Sequence, residues 1–405
     1  ICTVSNCKQM SQTMYVFNQL TQWLPKDTFD RLVARYNGNA HVKSYTCWRH
    51  LLVMLWAQLT SRRSLRDIEV SLRAHADKLY RMGIGTGISR NNIANANARR
   101  DVAIYRELAQ TMMERAASVV SRDRMLEDIA RRFSLEGFFA VDSSTVSLDI
   151  GRHSWCVPQK GVGGVKLHTL YDVMRKVPRM CLVTGHEERD QTFMEDYPYE
   201  EGCFYVMDKA YMKARGLAAV DSAKGFFIVR RKRNVLYETV SYRSDGVEDG
   251  VLADRNIRFT GRWAASEYSK ELRLVTCFVE GKDEMFELMT NNTDVPGATI
   301  MLLYRHRWNI ELFFKWIKQH LRIVSFYGTS ANAVMIQVYV AYTAYCMLAL
   351  AADSVGYGGS LYDFANLVSV SLTEQAALKE LITRHNSVIG AQKNDCTDWP
   401  YLFEM

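Results

Sequence analysis

The sequence predicts an α/β protein: a mixed-sheet core, preceded by a helical domain and interrupted by an inserted β subdomain. Three observations predict it. Residues 15–135 carry apolar positions at helical spacing. From Gly137 onward, short runs rich in β-branched and aromatic residues alternate with turns. Residues 231–289 then add strands instead of helices, before a long helix over about 298–321 returns to the core. A chain of 405 residues is also long for one hydrophobic core. The predicted parts are therefore 1–135, a helical domain; 136–230 with 290–350, the mixed-sheet core; 231–289, the β insertion; and 351–405, a C-terminal helical region and tail.

Each element follows from its residues. Tyr15 to Tyr36 reads as one or two short helices broken at Pro25. Tyr45 to Gln58 is strongly apolar, with aromatic residues. Ser64 to His75 is another helix, with Ser64 as its cap. Gly83 to Gly87 is a glycine-rich turn, and SRNNIANANARR after it is the basic, amide-rich start of a helix. Short helix, turn and polar helix are compatible with helix-turn-helix DNA binding, with Ser89, Arg90, Asn91, Asn92 and Asn95 facing a groove. The plainer reading is a solvated helix that Ser89 caps. The strand candidates are FFAVDSSTVSL, GGVKLHTLYDV, VPRMCLVTG, CFYVMDKAY and GFFIVRRK, with MKARGLAAV as an intervening helix. LRLVTCFVE and MFELMTN belong to the insertion.

Composition sets bounds. Hydrophobic content of 48% indicates a folded protein, and a formal net charge of +7 is compatible with nucleic acid without requiring it. Nine cysteines form no CxxC pair, which favours a reducing cytosol and argues against a disulfide framework or structural zinc. Ala333 to Ala351 is apolar enough to raise a membrane span, but its Gln337 and its tyrosines and threonines favour a buried helix, and no membrane partner is expected. No signal peptide is evident, although the chain begins at Ile1.

The chemistry concentrates in three acids. Asp142 follows the apolar run Phe138–Val141, and Asp208 follows Phe204–Met207, so each sits at the end of a buried strand candidate. Glu311 lies on a helical face with Tyr304, Arg307, Lys315 and Lys318, beside a buried stripe of Ile310, Phe313, Phe314, Ile317 and Leu321. Three convergent carboxylates suit Mg²⁺, which takes oxygen ligands, and two ions can activate an attacking oxygen and clamp a leaving one. Arg307 and Lys318 would neutralise phosphate, and Tyr304 would bond to it or stack on a base. The competing reading is surface salt bridging, Arg307–Glu311 and Glu311–Lys315.

Other polar groups are secondary candidates. Lys166 and His168 share one face of their strand and could reach a phosphate. His186, Glu187 and Glu188 read either as a loop cluster or as a metal-adjacent group. Arg230, Arg231, Lys232 and Arg233 are the densest basic run, suited to DNA backbone or else a solvated turn. Trp263 could stack on an unpaired base or belong to the core.

The segment YRHRWNIELFFKWIKQHL resembles the signature of IS4-type insertion-sequence transposases: Tyr, two residues, Arg, three residues, Glu, six residues, Lys. Tyr304, Arg307, Glu311 and Lys318 meet it in full. VDSSTVSL and VMDKAY are similar to the blocks that carry the family's two catalytic Asp residues. The resemblance implies a ribonuclease-H-like core with Asp142, Asp208 and Glu311 as the DDE triad, the β insertion between the second Asp and the Glu, and an extra N-terminal domain. It implies two Mg²⁺ ions, with Mn²⁺ able to stand in, and double-stranded DNA with terminal inverted repeats and target DNA as partners. It also implies a homodimer on DNA, cut-and-paste movement and a bacterial, cytoplasmic setting. By the same resemblance the signature residues contact phosphates near the cleaved end, and Trp263 is a candidate to receive a flipped base. A metal nuclease without strand transfer, or an inactive DNA-binding relative, are the alternatives.

Overall fold

The computed structural model describes residues 14–156, 163–187, 194, 197–243, 250–279, 284–320 and 326–390. The helices of the first part are α1 (Val16–Thr21), α2 (Lys26–Arg35), α3 (Cys47–Leu59), α4 (Leu65–Ala74), α5 (Ala76–Leu79), α6 (Arg90–Arg99), α7 (Val102–Val119) and α8 (Arg124–Arg132). Five strands follow: β1 (Gly137–Leu148), β2 (Gly163–Asp172), β3 (Val177–Gly185), β4 (Cys203–Met207) and, after α9 (Ala214–Ser222), β5 (Phe226–Arg230). Then come β6 (Tyr237–Tyr242), β7 (Val251–Phe259), α10 (Arg262–Glu267), β8 (Leu272–Val279) and β9 (Glu284–Thr290). The chain closes with α11 (Gly297–Arg305), α12 (Trp308–His320), α13 (Ala331–Ser354), α14 (Leu361–Ser371) and α15 (Leu378–Gly390).

The chain divides into two compact units. The helical unit is built from the chain up to Ser121, Val146–Val165 and the chain from Phe314; the sheet unit from Arg122–Thr145 and Lys166–Phe313. In the helical unit α13 is the central element, with 19 buried residues from Ala333 to Ala352. It has the length and composition of a membrane span, yet 94% of that window is buried inside the protein, which makes it a core helix. A helix apolar on every side must be covered on every side. Helices α1, α3, α6, α7 and α14 supply that cover, so the N-terminal and C-terminal helices share one core. Gln19 ties the two ends: its amide donates to Ala376 O at 2.7 Å, and its oxygen accepts from Leu378 N at 2.9 Å. This grouping differs from the expected separation of an N-terminal domain from residues 314–350.

Local chemistry explains the helix starts. Thr46, Ser64, Ser89 and Ser330 each accept a backbone N–H in the first turn of the helix they cap. Such a cap contributes about 1 kcal/mol. Gly83, Gly85 and Gly87 all have positive φ, near 70–75°. Arg49 fastens that turn, donating to Ile84 O at 2.6 Å and Thr86 O at 2.9 Å. His50 is buried between Tyr105 Oη at 2.6 Å and Asn97 Oδ1 at 2.8 Å, and burial holds its pKa well below the ordinary histidine value.

The sheet unit carries one nine-stranded sheet of order β3-β2-β1-β4-β5-β9-β8-β7-β6. β1, β4 and β5 are parallel, and β5, β9, β8, β7 and β6 are successively antiparallel. The interior strand β4 is buried along its whole length, as a parallel strand covered on both faces must be. Residues 231–290 do not fold as a sheet of their own. β9 pairs with β5, so these strands extend the core sheet, and the stretch also contains the short helix α10. A buried pair pins the extension: Arg273 donates to both oxygens of Asp254 and to Val295 O, with both side chains almost wholly inaccessible.

Candidate active site

The long helix expected over 298–321 is two helices, with His306 and Arg307 in a turn between them. No proline causes the break. The N–H groups of His306, Arg307, Asn309 and Ile310 each bond three residues back, a tighter winding than the α-helix allows. The turn sets the direction of Arg307. Its guanidinium donates to Glu311 Oε1 at 2.7 Å and stands 3.9 Å from Asp142 Oδ2. It also lies 5.8 Å from the centre of the Tyr304 ring.

The two aspartates are brought together by strand register. Val141 of β1 pairs with Met207 of β4 in the parallel ladder. Asp142 and Asp208 are the next residue on each strand. Asp208 follows the last residue of β4, as expected, and opens a 3₁₀ turn over Lys209–Tyr211. Asp142 is not at a strand end, because β1 runs on to Leu148; it marks where the pairing with β4 stops. Its Oδ1 accepts from Ser143 N at 2.8 Å. Burial pushes its pKa up to about 7, Ser143 N–H and Arg307 oppose that, and the charges of Glu311 and Asp208 add to it. Those influences place the three acids within one electrostatic field.

Among the described residues, no three carboxylate, imidazole or thiol groups converge closely enough to hold a metal ion. Arg307 supplies the positive charge between Asp142 and Glu311. Asp142, Asp208 and Glu311 offer only oxygen donors, the kind a hard divalent cation takes.

The remaining candidates separate by burial. Tyr304 is half-buried, 6.0 Å from the Phe286 ring, and Arg230 lies over that same Phe286 ring at 5.5 Å. Phe286 thus lies against two of the basic-and-aromatic candidates; it gave no signal beyond strand alternation. Arg231 is held by Glu287 through Nε at 2.6 Å, so it braces the sheet. Lys232 donates to Ala210 O and Met212 O just past Asp208, with burial lowering its pKa. Arg233 is exposed. Lys166 is half-buried, whereas His168 is buried and bonded to Thr184 Oγ1 at 2.9 Å, a contact within the sheet. His186 lies 3.4 Å from Thr145 Oγ1, and Glu188 lies outside the described residues. Lys315 is exposed and Lys318 half-buried on α12. Trp263 is 76% exposed on α10, which removes core packing as its role. On α6, Arg90, Asn91, Asn92 and Asn95 are exposed, while Asn92 also completes a capping box with Ser89.

Residues 134–347 match the family model described as a transposase DDE domain. That span is more than half of the chain. The chain belongs to the DDE transposase family. Residues 12–85 match a second model, a domain of unknown function (DUF4372), so an accessory domain lies upstream. A Sinorhizobium fredii protein named as a transposase, y4zB, is 31% identical over 70% of this chain and 77% of its own. A Geobacillus stearothermophilus protein named as a transposase for insertion sequence element IS5377 is 29% identical over 51% and 55%. A Synechocystis protein named as a transposase for insertion sequence element IS4SA is 22% identical over 82% and 91%. A piggyBac transposase synaptic complex with hairpin DNA has 10% identity and a TM-score of 0.44, covering 97% of this chain and 85% of that one, a likeness too low to carry anything further. The arrangement is consistent with IS4-type transposases in general, and membership implies DNA binding and recombination as the broad activity.

Proposed function

We propose that this transposase cleaves insertion-sequence ends at terminal inverted repeats and transfers the freed 3′ ends to target DNA, by cut-and-paste. The observation that carries the reading is the register of Val141 with Met207, which sets Asp142 beside Asp208, together with the Arg307 contacts to Glu311 and Asp142. The order β3-β2-β1-β4-β5 with β1, β4 and β5 parallel supports a ribonuclease-H-like core.

In hydrolysis a water oxygen bonds to phosphorus as the P–O3′ bond breaks, leaving a 3′-hydroxyl and a 5′-phosphate. In transfer that 3′-hydroxyl attacks a target phosphodiester in the same way. Asp142, Asp208 and Glu311 would hold two Mg²⁺ ions, or Mn²⁺, which supply Lewis acidity to the attacking and leaving oxygens. Arg307 grips a phosphate with its planar fork, Lys315 and Lys318 add charge along α12, and Tyr304 bonds or stacks beside them. Arg233 on the basic run and Lys166 on β2 track the backbone. Trp263 offers an exposed face to an unpaired base. The working form is a homodimer on paired element ends, acting in the bacterial cytoplasm.

The test supplies a labelled duplex bearing the element's terminal repeat, a target plasmid and Mg²⁺. Cleavage at the repeat boundary followed by joined products is expected. Cleavage with no joining would make the protein a nuclease, and binding without cleavage would make it an inactive relative.

A further inference from the structure

The helical unit contains a basic pocket that the catalytic reading does not use. A cavity of about 460 Å³ lies among the start of α4 (Arg63, Ser64, Arg66), Arg90 at the start of α6, the segment Ser147–His153 and the loop 326–329. That is within the ~300–1,000 Å³ common for ligand sites. Four guanidinium groups line it, from Arg63, Arg66, Arg90 and Arg152, and all four residues are exposed. Against them stands one carboxylate, Asp149, 3.8 Å from Arg152 and itself exposed. The N-terminus of α4 adds the positive end of a helix dipole.

The pocket's inner wall is built. His153 is only 7% exposed. Its Nδ1 bonds to Asp149 O at 2.9 Å, while its buried Nε2 has no protein partner. The walls around it are fixed by backbone contacts: Trp155 Nε1 donates to Thr329 O at 2.7 Å, and Tyr327 Oη donates to Arg62 O at 2.9 Å. An unpaired buried imidazole nitrogen is costly unless something completes it. The imidazole ring packs edge-on against Trp155 and Phe326, which holds this wall of the pocket in place.

Arg90 is also the first residue of α6, whose exposed Asn91, Asn92 and Asn95 form a polar face. We propose that the pocket binds backbone phosphate of duplex DNA and so fixes the position of that face on the DNA. Phosphate contacts of this kind set register and leave sequence reading to side chains on the helix. The inference rests on the reading that the chain binds DNA.

The test measures fluorescence anisotropy of a labelled 30-base-pair duplex with the full chain across a potassium chloride series. Arg66→Ala/Arg90→Ala is compared with Arg31→Ala/Lys43→Ala, which removes the same charge from exposed positions of the same unit. Each phosphate contact contributes about 0.9 to the slope of log affinity against log salt. The pocket variant is expected to lose roughly tenfold or more in affinity and about one to two units of slope, with the control within about threefold of wild type. An unchanged slope and matched affinities for the two variants, with wild type binding, would overturn the pocket alone. A wild-type chain that binds no duplex would overturn the DNA reading as well.

Discussion

Arg307 donates to Glu311 at 2.7 Å from a turn that interrupts what would otherwise be one helix. The same guanidinium is the nearby positive charge for Asp142 at 3.9 Å. Two acids that would repel are thus held by one planar cation. Arg307→Ala is expected to slow DNA cleavage by roughly two orders of magnitude, the scale of losing one oriented charge stabiliser. Arg307→Lys should recover little, since an ammonium cannot bridge as the fork does. Single-turnover cleavage rates check this, and a wild-type rate for Arg307→Lys would contradict it.

Asp142 gives a pH signature. Its folded pKa, about 7, lies above the unfolded value of roughly 3.9. The folded state therefore holds a proton that the unfolded state has released, so stability falls as pH rises from roughly 4 to 7 and levels off once the folded carboxyl has ionised. Asp142→Asn removes that cost. Its stability relative to wild type is expected to grow by about 2 kcal/mol between roughly pH 5.5 and pH 8. Urea unfolding at the two pH values reads it; a difference that is flat or shrinks with pH would contradict the assignment.

The Arg273–Asp254 pair lies in the sheet extension with 2% and 0% side-chain exposure. Asp254→Ala strips the buried guanidinium of its carboxylate partner and leaves it the bond to Val295 O. It is expected to lower stability by about 3–5 kcal/mol. A loss below about 1 kcal/mol in chemical denaturation would show that the pair is dispensable.

Trp263 stands out from α10 with Arg262 over its ring at 5.7 Å. Trp263→Ala should leave the unfolding midpoint almost unchanged, within about 0.5 kcal/mol. It should weaken binding of DNA ends with unpaired bases by roughly tenfold, and of fully paired duplex far less. Equal losses on both substrates would contradict a base-stacking role.

Much of this was legible in the sequence. Period and capping signals located the helices within 15–36, 45–58 and 64–75, the one that Ser89 opens and the five core strands, while Val102–Val119 and Arg124–Arg132 fell under the general helical reading of 15–135. Asp142 and Asp208 stood out because each follows an apolar strand run, and Glu311 because basic residues share its helical face. What stayed hidden depends on distant partners. Nothing local says that β9 pairs with β5, so residues 231–289 read as a separate subdomain. The break at His306–Arg307 has no proline or glycine to announce it. His168 reads as a strand-face cation, but its burial against Thr184 is a property of the neighbouring strand β3. Within Arg230–Arg233 the residue types are alike, and only the position of Glu287 separates the bracing Arg231 from the exposed Arg233.

The central claim is that Asp142, Asp208 and Glu311 act as one cutting centre. It is tested most directly by single-turnover cleavage of a terminal-repeat duplex in Mg²⁺ by wild type, Asp142→Asn, Asp208→Asn, Glu311→Gln and the triple variant. The account predicts that each single variant falls by about a thousandfold or more, to nearly the level of the triple variant, because groups acting as a unit are not additive. Duplex affinity should change little. Any single variant that keeps the wild-type rate while folded and bound to DNA would contradict the claim.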